Sequence, residues 1–374
     1  MALRHLSDHH GKNGLLVLPT GSGKSIVIAE LVKQLGEPVL VFQPSKEILE
    51  QNVAKYRSYG FPCGIYSASA GVKRLHDVTF ATIGSVVKKT HLLERFRYVI
   101  VDECHLVNSK GGMYENLITT LGVPVIGLTA TPYRLGRDMD GYSILKFLTR
   151  TRPRIFDTVV YHVQNRRLFD DGHLCPLTYH VVKAFNRQNL QPNTTGSDYT
   201  DASVRAEYRA SGFEAKVVKV VNRVFEVGRK NALVFTRFVQ EAEIVVRNVP
   251  GAAIVTAETP DKERDRVIRG FKQGWIRCVV NVGILTTGFD YPELEAVVIA
   301  RPTRSLGLYY QMIGRAMRPH PGKADALVID LGGNFDLFGK IEDMELCPDG
   351  GWHIRSNGRQ LTNVPFGRRQ FFRR

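Results

Sequence analysis

Cysteine is scarce and scattered. The five thiols, Cys63, Cys104, Cys175, Cys278 and Cys347, form no CxxC pair and no Cys/His cluster at ligand spacing, which argues against a structural zinc site and a disulfide framework. Long apolar runs are missing as well. None approaches the roughly 20 residues that a bilayer span requires, and the opening MALRHLSDHH lacks the apolar core of a secretory leader. A cytoplasmic setting is expected. Acid is the minority charge: 36 Asp and Glu against 51 Lys and Arg leave a net +15, spread along the chain rather than gathered in one tail. Such a distribution suits a long polyanion such as nucleic acid, although charge alone does not separate that from a merely soluble basic protein.

What is present is globular usage, 43% hydrophobic and 23% charged over 374 residues. That length exceeds what one core supports, so two domains are expected. Apolar, β-branched runs alternate with helical stretches: LLVL at 15–18, PVLVF at 38–42, VTFAT at 78–82, RYVIVDE at 97–103 and VPVIGLTAT at 123–131. A second series follows with NALVFT at 231–236, AAIVTA at 252–257, RCVVNV at 277–282, EAVVIARP at 295–302 and ADALVIDL at 324–331. Continuous rather than alternating hydrophobicity marks strands buried on both faces. The fold class is therefore α/β, two mostly parallel sheets with helices on both faces. A first domain over 1–150, a connector and polar insertion over 151–210, a second domain over 211–335 and a basic extension over 336–374 are expected. Residues 151–185 read as a helical connector and the polar 186–203 as a flexible loop. From Gly351 onward six arginines, no acid, and Phe366, Phe371 and Phe372 suggest either a nucleic-acid arm or a solvated end.

PTGSGKS at 19–25 follows the first strand and opens the helical SIVIAELVKQL, the context of a phosphate-binding loop. Gly21 and Gly23 let the backbone turn its N–H groups toward phosphate, with Pro19, Thr20 and Ser22 completing the loop. Lys24 belongs on the β/γ-phosphates of ATP, and Ser25 on Mg²⁺. The plain alternative is a glycine-rich turn. Asp102 and Glu103 weaken it, since adjacent acids ending a buried VIV strand call for a cation. Asp102 is expected to hold Mg²⁺, Glu103 to orient or deprotonate the attacking water, and His105 to sense the nucleotide. In QMIGRAMR, Gln311, Arg315 and Arg318 recur at i, i+4 and i+7, one helix face able to meet an anion, with Gly314 permitting close approach. Gly288 marks a tight turn in TTGFD, and Asp290 is expected to meet the ribose or an arginine; a turn-capping role is the alternative.

Together these strings resemble a superfamily 2 helicase. PTGSGKS is similar to motif I, DECH to motif II, TAT at 129–131 to motif III, TTGFD to motif V and QMIGRAMR to motif VI, in that order over about residues 14–332. The wording of GLTATPYRLG, ETPDKERD, NVGILTTGFDYPELEAV and RPTRSLGLYYQMIGRAMRPHPGK is most similar to bacterial and phage RadD-like DECH-box helicases. The resemblance implies two RecA-like domains and a nucleic-acid-stimulated ATPase that acts on DNA, in a bacterial cell or phage-infected host, as a monomer. It also implies nucleic-acid contacts at Lys46, Thr82 and Ser85 in the first domain and at Thr236, Arg237, Thr286 and Thr303 in the second. The threonines and Ser85, which follow strands, are equally at home as helix caps. Thr129 and Thr131 would couple ATP state to the groove. Two departures stand out: none of the eighteen residues before Pro19 is the glutamine that reads adenine in such enzymes, and the cysteine-rich region of RadD-like proteins has no counterpart around Cys347. The motor of a restriction system, an RNA helicase and an ATP-switched annealing protein remain open alternatives.

Overall fold

The computed structural model describes residues 1–8, 12–108, 111–137, 140, 142–285 and 289–365. The first sheet contains β1 (Gly14–Val17), β2 (Val39–Phe42), β3 (Gly64–Ser67), β4 (Val72–Arg74), β5 (Val78–Ala81), β6 (Tyr98–Asp102) and β7 (Val125–Thr129). A separate antiparallel hairpin, β8 (Tyr133–Arg137) and β9 (Ser143–Phe147), follows, and β10 (Thr158–His162) returns to the edge of the first sheet. Its order is β10-β1-β7-β6-β2-β5-β3-β4, parallel except at β4. The second sheet is wholly parallel, in the order β11-β16-β15-β12-β14-β13. Its strands are β11 (Leu177–Val181), β12 (Ala232–Thr236), β13 (Ala252–Thr256), β14 (Cys278–Val282), β15 (Ala296–Ala300) and β16 (Ala326–Asp330). A small antiparallel sheet, β17 (Met344–Cys347), β18 (His353–Ser356) and β19 (Arg359–Gln360), ends the described chain.

The helices α1 (Ala2–Asp8), α2 (Lys24–Leu35), α3 (Lys46–Ser58), α4 (Ile83–Val86) and α5 (Met113–Leu121) belong to the first half. Helix α6 (Asn165–Asp170) connects the halves. The second half has α7 (Asp201–Ser211), α8 (Phe213–Glu226), α9 (Val239–Asn248), α10 (Asp261–Lys272), α11 (Leu306–Gly314) and α12 (Phe335–Phe338). Among the described residues no helix is long and apolar enough to cross a membrane. Strand periodicity explains how the layers form. Leu16 and Leu18 join the cluster under α2 and α3, while Leu15 and Val17 face the other way. In β12, Ala232 and Val234 pack toward α8 and α9, whereas Leu233 and Phe235 face inward. Those inward residues share one continuous apolar cluster with Leu15 and Val17, so the two sheets are joined by core packing as well as by chain.

Three expectations about organisation are corrected. The chain does not leave the first sheet near Arg150: Thr158–His162 pairs in parallel with β1, and Leu177–Val181 pairs with β16. The supposed helical connector is thus two edge strands around the six-residue α6. Edge strands are half exposed, so they lack the continuous hydrophobicity that marked the central ones. The polar stretch 186–203 is held down rather than loose. Arg187 donates to the carbonyls of Thr303, Gly332 and Gly333, and Asp198 accepts from Arg237 at 3.2 Å. The C-terminal extension is folded through Pro365 and clasps the first half. Gln164 exchanges two hydrogen bonds with the Leu346 backbone, and the Asn363 carboxamide accepts from Phe147 N and donates to Trp352 O. Arg368, Arg369, Arg373, Arg374 and the three phenylalanines of the tail lie outside the described residues.

Candidate functional site

The loop after β1 needs its glycines. Gly21 and Gly23 have φ of 87° and 81°, the left-handed region open to glycine at little cost, and a Cβ on Gly21 would stand 2.8 Å from Leu174 Cδ2. No side chain caps α2, so its first N–H groups remain available to an anion, and the Ser22 hydroxyl is buried without a partner. Lys24 and Ser25 begin that helix and face the end of β6.

There Asp102 is 4% exposed and Glu103 takes a left-handed φ of 48°, an unusual conformation for a non-glycine residue. Lys24 Nζ lies 3.0 Å from Glu103 Oε1. Burial alone would raise the Glu103 carboxyl, but the Lys24 ammonium and a hydrogen bond from His105 outweigh it and hold the group well below the usual carboxylate range. Asp102 goes the other way: burial first, then the Glu103 charge beside it, push it up to about 7. His105 Nδ1 stands 3.3 Å from Glu103 Oε2 and 2.9 Å from Thr129 Oγ1, and Thr129 Oγ1 in turn accepts from Thr131 N at 3.0 Å. A polar chain therefore runs from the second acid to the end of β7.

The opposite wall comes from the second sheet. A cleft of about 470 Å³ is lined by Thr20, Gly21, Gly23, Lys24, Ser25, Asp102 and Glu103 on one side and by Phe289, Asp290, Gly314, Arg315 and Arg318 on the other. Gly314 makes this approach possible, since a Cβ there would meet Thr20 at 3.3–3.4 Å. Arg315 donates to Phe289 O, and burial lowers its guanidinium to about 10 while the Glu103 charge opposes that shift. Arg318 pairs with Asp290 at 3.2 Å. The expected single face of Gln311, Arg315 and Arg318 is corrected: α11 ends at Gly314, so Gln311 lies apart, in a second interdomain cavity of about 330 Å³ with His105, Thr131 and Arg304. Gly288 and Thr286 lie outside the described residues.

The expected nucleic-acid residues divide by half of the molecule. Lys46 is exposed on the first turn of α3, and Thr82 and Ser85 are half-buried and hydrogen-bonded to each other at 2.9 Å. In the second half the side chains point inward. Thr236 is fully buried and donates to Phe238 O, and Thr303 is fully buried and accepts from Ser305 N. Arg237 is spent on Asp198, Asp201 and the Tyr199 carbonyl. In this arrangement all three side chains are turned to partners within the protein, contrary to the sequence expectation: the 186–203 segment occupies Arg237, while the two threonines bond to neighbours in their own loops. One residue escaped sequence reading altogether. Asn52, 6% exposed, links Ser25, Asp102 and Gln43; the available signal was an amide on the buried stripe Leu49, Val53 and Tyr56 of α3.

A phosphate-binding loop on one parallel sheet, facing arginines carried by a second, defines a two-domain P-loop ATPase of RecA-like architecture. Comparison with known proteins agrees and narrows the class. Residues 2–134 match the family model described as "Type III restriction enzyme, res subunit", and residues 215–320 match "Helicase conserved C-terminal domain". The chain is 26% identical to a putative ATP-dependent helicase, IRC3, of Saccharomyces cerevisiae, covering 84% of this chain and 47% of that protein. It is 23% identical to the DNA 3'-5' translocase XPB2 of Sulfurisphaera tokodaii, covering 86% of this chain and 77% of that one. Among solved structures, a fragment of a putative HsdR subunit of a type I restriction enzyme from Vibrio vulnificus superposes with a TM-score of 0.66 at 20% identity, over 96% of this chain and 65% of that one. Over both halves the chain is thus similar to superfamily 2 helicases, a class of nucleic-acid-dependent ATPases. It spans about half the length of the yeast relative.

Proposed function

We propose that the chain hydrolyses ATP with Mg²⁺ in the cleft described above and uses its opening and closing to move along or remodel DNA, in repair, recombination or replication. One observation carries this reading: the phosphate-loop lysine, both acids and two arginines from the opposite sheet line a single cleft. The donor set fits Mg²⁺, which prefers oxygen ligands and takes one or two from protein while keeping water and phosphate oxygens. Ser25 and Asp102 would hold it, and the bound ion would neutralise charge on the phosphates.

The chain's own groups supply the rest. Lys24 swings from Glu103 to the β/γ-phosphates, which frees the Glu103 carboxylate to align a water and accept its proton. Arg315 and Arg318 meet the charge that develops on the transferred phosphoryl group and draw the second domain inward. The link from Glu103 through His105 to Thr129 carries the change to the cavity that holds Gln311 and Arg304. Work follows only from contacts that differ between open and closed states. DNA is favoured over RNA by the archaeal relative, which is named as a DNA translocase.

ATPase rates on single-stranded, duplex and forked DNA and on RNA test this directly. Stimulation by DNA, abolished by Lys24→Ala and by Glu103→Gln, is expected; stimulated hydrolysis surviving either change refutes the assignment. A restriction-type motor is the second reading, favoured by the match to a restriction-enzyme subunit. It is distinguished by displacement of a third strand from duplex DNA without separation of the duplex.

A further inference from the structure

The cleft holds a buried amide whose partners are the two groups expected to face Mg²⁺. Asn52 lies on the second turn of α3. Its Nδ2 donates to Asp102 Oδ2 at 3.1 Å and to Gln43 Oε1 at 2.8 Å, and its Oδ1 receives the Ser25 hydroxyl at 2.5 Å. The direction of these bonds is fixed by chemistry. A carboxylate ready to receive a cation is ionised and only accepts, so in the metal-binding state the amide turns its NH₂ toward Asp102, as it does here, and its oxygen is left for Ser25. A hydroxyl has one proton and two lone pairs; with the proton given to Asn52, both lone pairs of Ser25 Oγ are free for the cleft. Gln43, fully buried at the end of β2, occupies the second NH₂ hydrogen and keeps the amide from rotating.

We propose that Asn52, anchored by Gln43, is a positioning residue for the metal site: it orients the Ser25 hydroxyl and the Asp102 carboxylate as Mg²⁺ ligands. This rests on the reading of the cleft as an ATP·Mg²⁺ site. The amide interposed between serine and aspartate does for both ligands what an outer-shell partner does generally, which is to fix the ligand's direction before the ion arrives. An apolar side chain of the same size would leave the serine proton free to point at the cation.

The test separates metal coupling from nucleotide binding. The affinity of a fluorescent mant-ADP is measured in EDTA and in excess Mg²⁺ for the wild type, for Asn52→Leu and for the milder Gln43→Met, which leaves Asn52 in place and removes only its anchor. The expected result is an affinity in EDTA within about 2-fold of wild type. The gain on adding Mg²⁺ should be smaller by about 10- to 100-fold for Asn52→Leu, and by less, in the same direction, for Gln43→Met. An unchanged Mg²⁺ gain in both variants overturns the proposal. So does an equal loss with and without metal, which would show that the amide merely packs the site. Failure of the wild type to bind mant-ADP under either condition would instead strike the ATP reading itself.

Discussion

Lys24→Ala removes the ammonium 3.0 Å from Glu103 Oε1, in a pair whose side chains are only 16% and 18% exposed. At an effective dielectric of about 20 the attraction at that distance is roughly 5–6 kcal/mol, and desolvation of two half-buried ions offsets more than half of it. A net coupling of about 2 kcal/mol is therefore expected, above the range of exposed pairs and below that of fully buried ones. A double-mutant cycle with Lys24→Ala, Glu103→Gln and the double variant, read by urea unfolding of nucleotide-free protein, measures it. Because Lys24 must leave Glu103 to reach phosphate, Glu103→Gln should also bind nucleotide tighter, by about 10-fold. A coupling below about 0.5 kcal/mol, with unchanged nucleotide affinity, would refute the idea that the lysine is held by the acid until ATP arrives.

Arg237→Ala should cost about 1–2 kcal/mol in urea unfolding, because it removes the largely buried guanidinium from Asp198 and the Tyr199 carbonyl, although Asp198 keeps Arg301 and Asp201 is solvated, while the salt dependence of DNA binding stays as in wild type. Wild-type stability with a shallower salt slope would return Arg237 to the nucleic-acid face. Glu241 accepts from the backbone N–H groups of Arg237 and Phe238, and burial raises its carboxyl to about 7. An acid raised by folding keeps its proton in the native state, so its contribution is fully present below about pH 4.5 and is lost as pH climbs toward 7. Glu241→Gln should accordingly stabilise the protein at pH 8, by up to about 3 kcal/mol, and hardly at all at pH 5; equal effects at both pH values would contradict this. Asn363→Ala removes the partner of Phe147 N and should cost about 1–2 kcal/mol, with faster hydrogen exchange at that amide; unaltered exchange would mean that the C-terminal clasp is not formed in solution.

That the residues of the candidate cleft come together was largely legible, because their signals are local. The positive φ of Gly21 and Gly23 is written in residue type, and the acids Asp102 and Glu103 stand out against the apolar strand that they end. The opposite wall was half legible: Arg315 and Arg318 were readable as anion-facing, but helical spacing placed Gln311 with them, and only the helix end at Gly314 separates it. What depends on contacts distant in sequence could not be read. Whether Arg237 faces DNA or a carboxylate is decided by Asp198, 39 positions away, in a stretch whose polarity looked like a loop. The same polarity that suggested mobility supplies the hydrogen bonds that hold 186–203 in place, because Arg187 and Asp198 find their partners in the chain beyond 300. Asn52 shows the other limit. On the stripe of Leu49, Val53 and Tyr56 it resembles a flaw in an amphipathic pattern, and only the folded arrangement of β2, α2 and β6 turns that flaw into a link between two candidate metal ligands. A polar residue on an apolar face of a P-loop domain is thus a reason to look for a site, and its partners decide what kind.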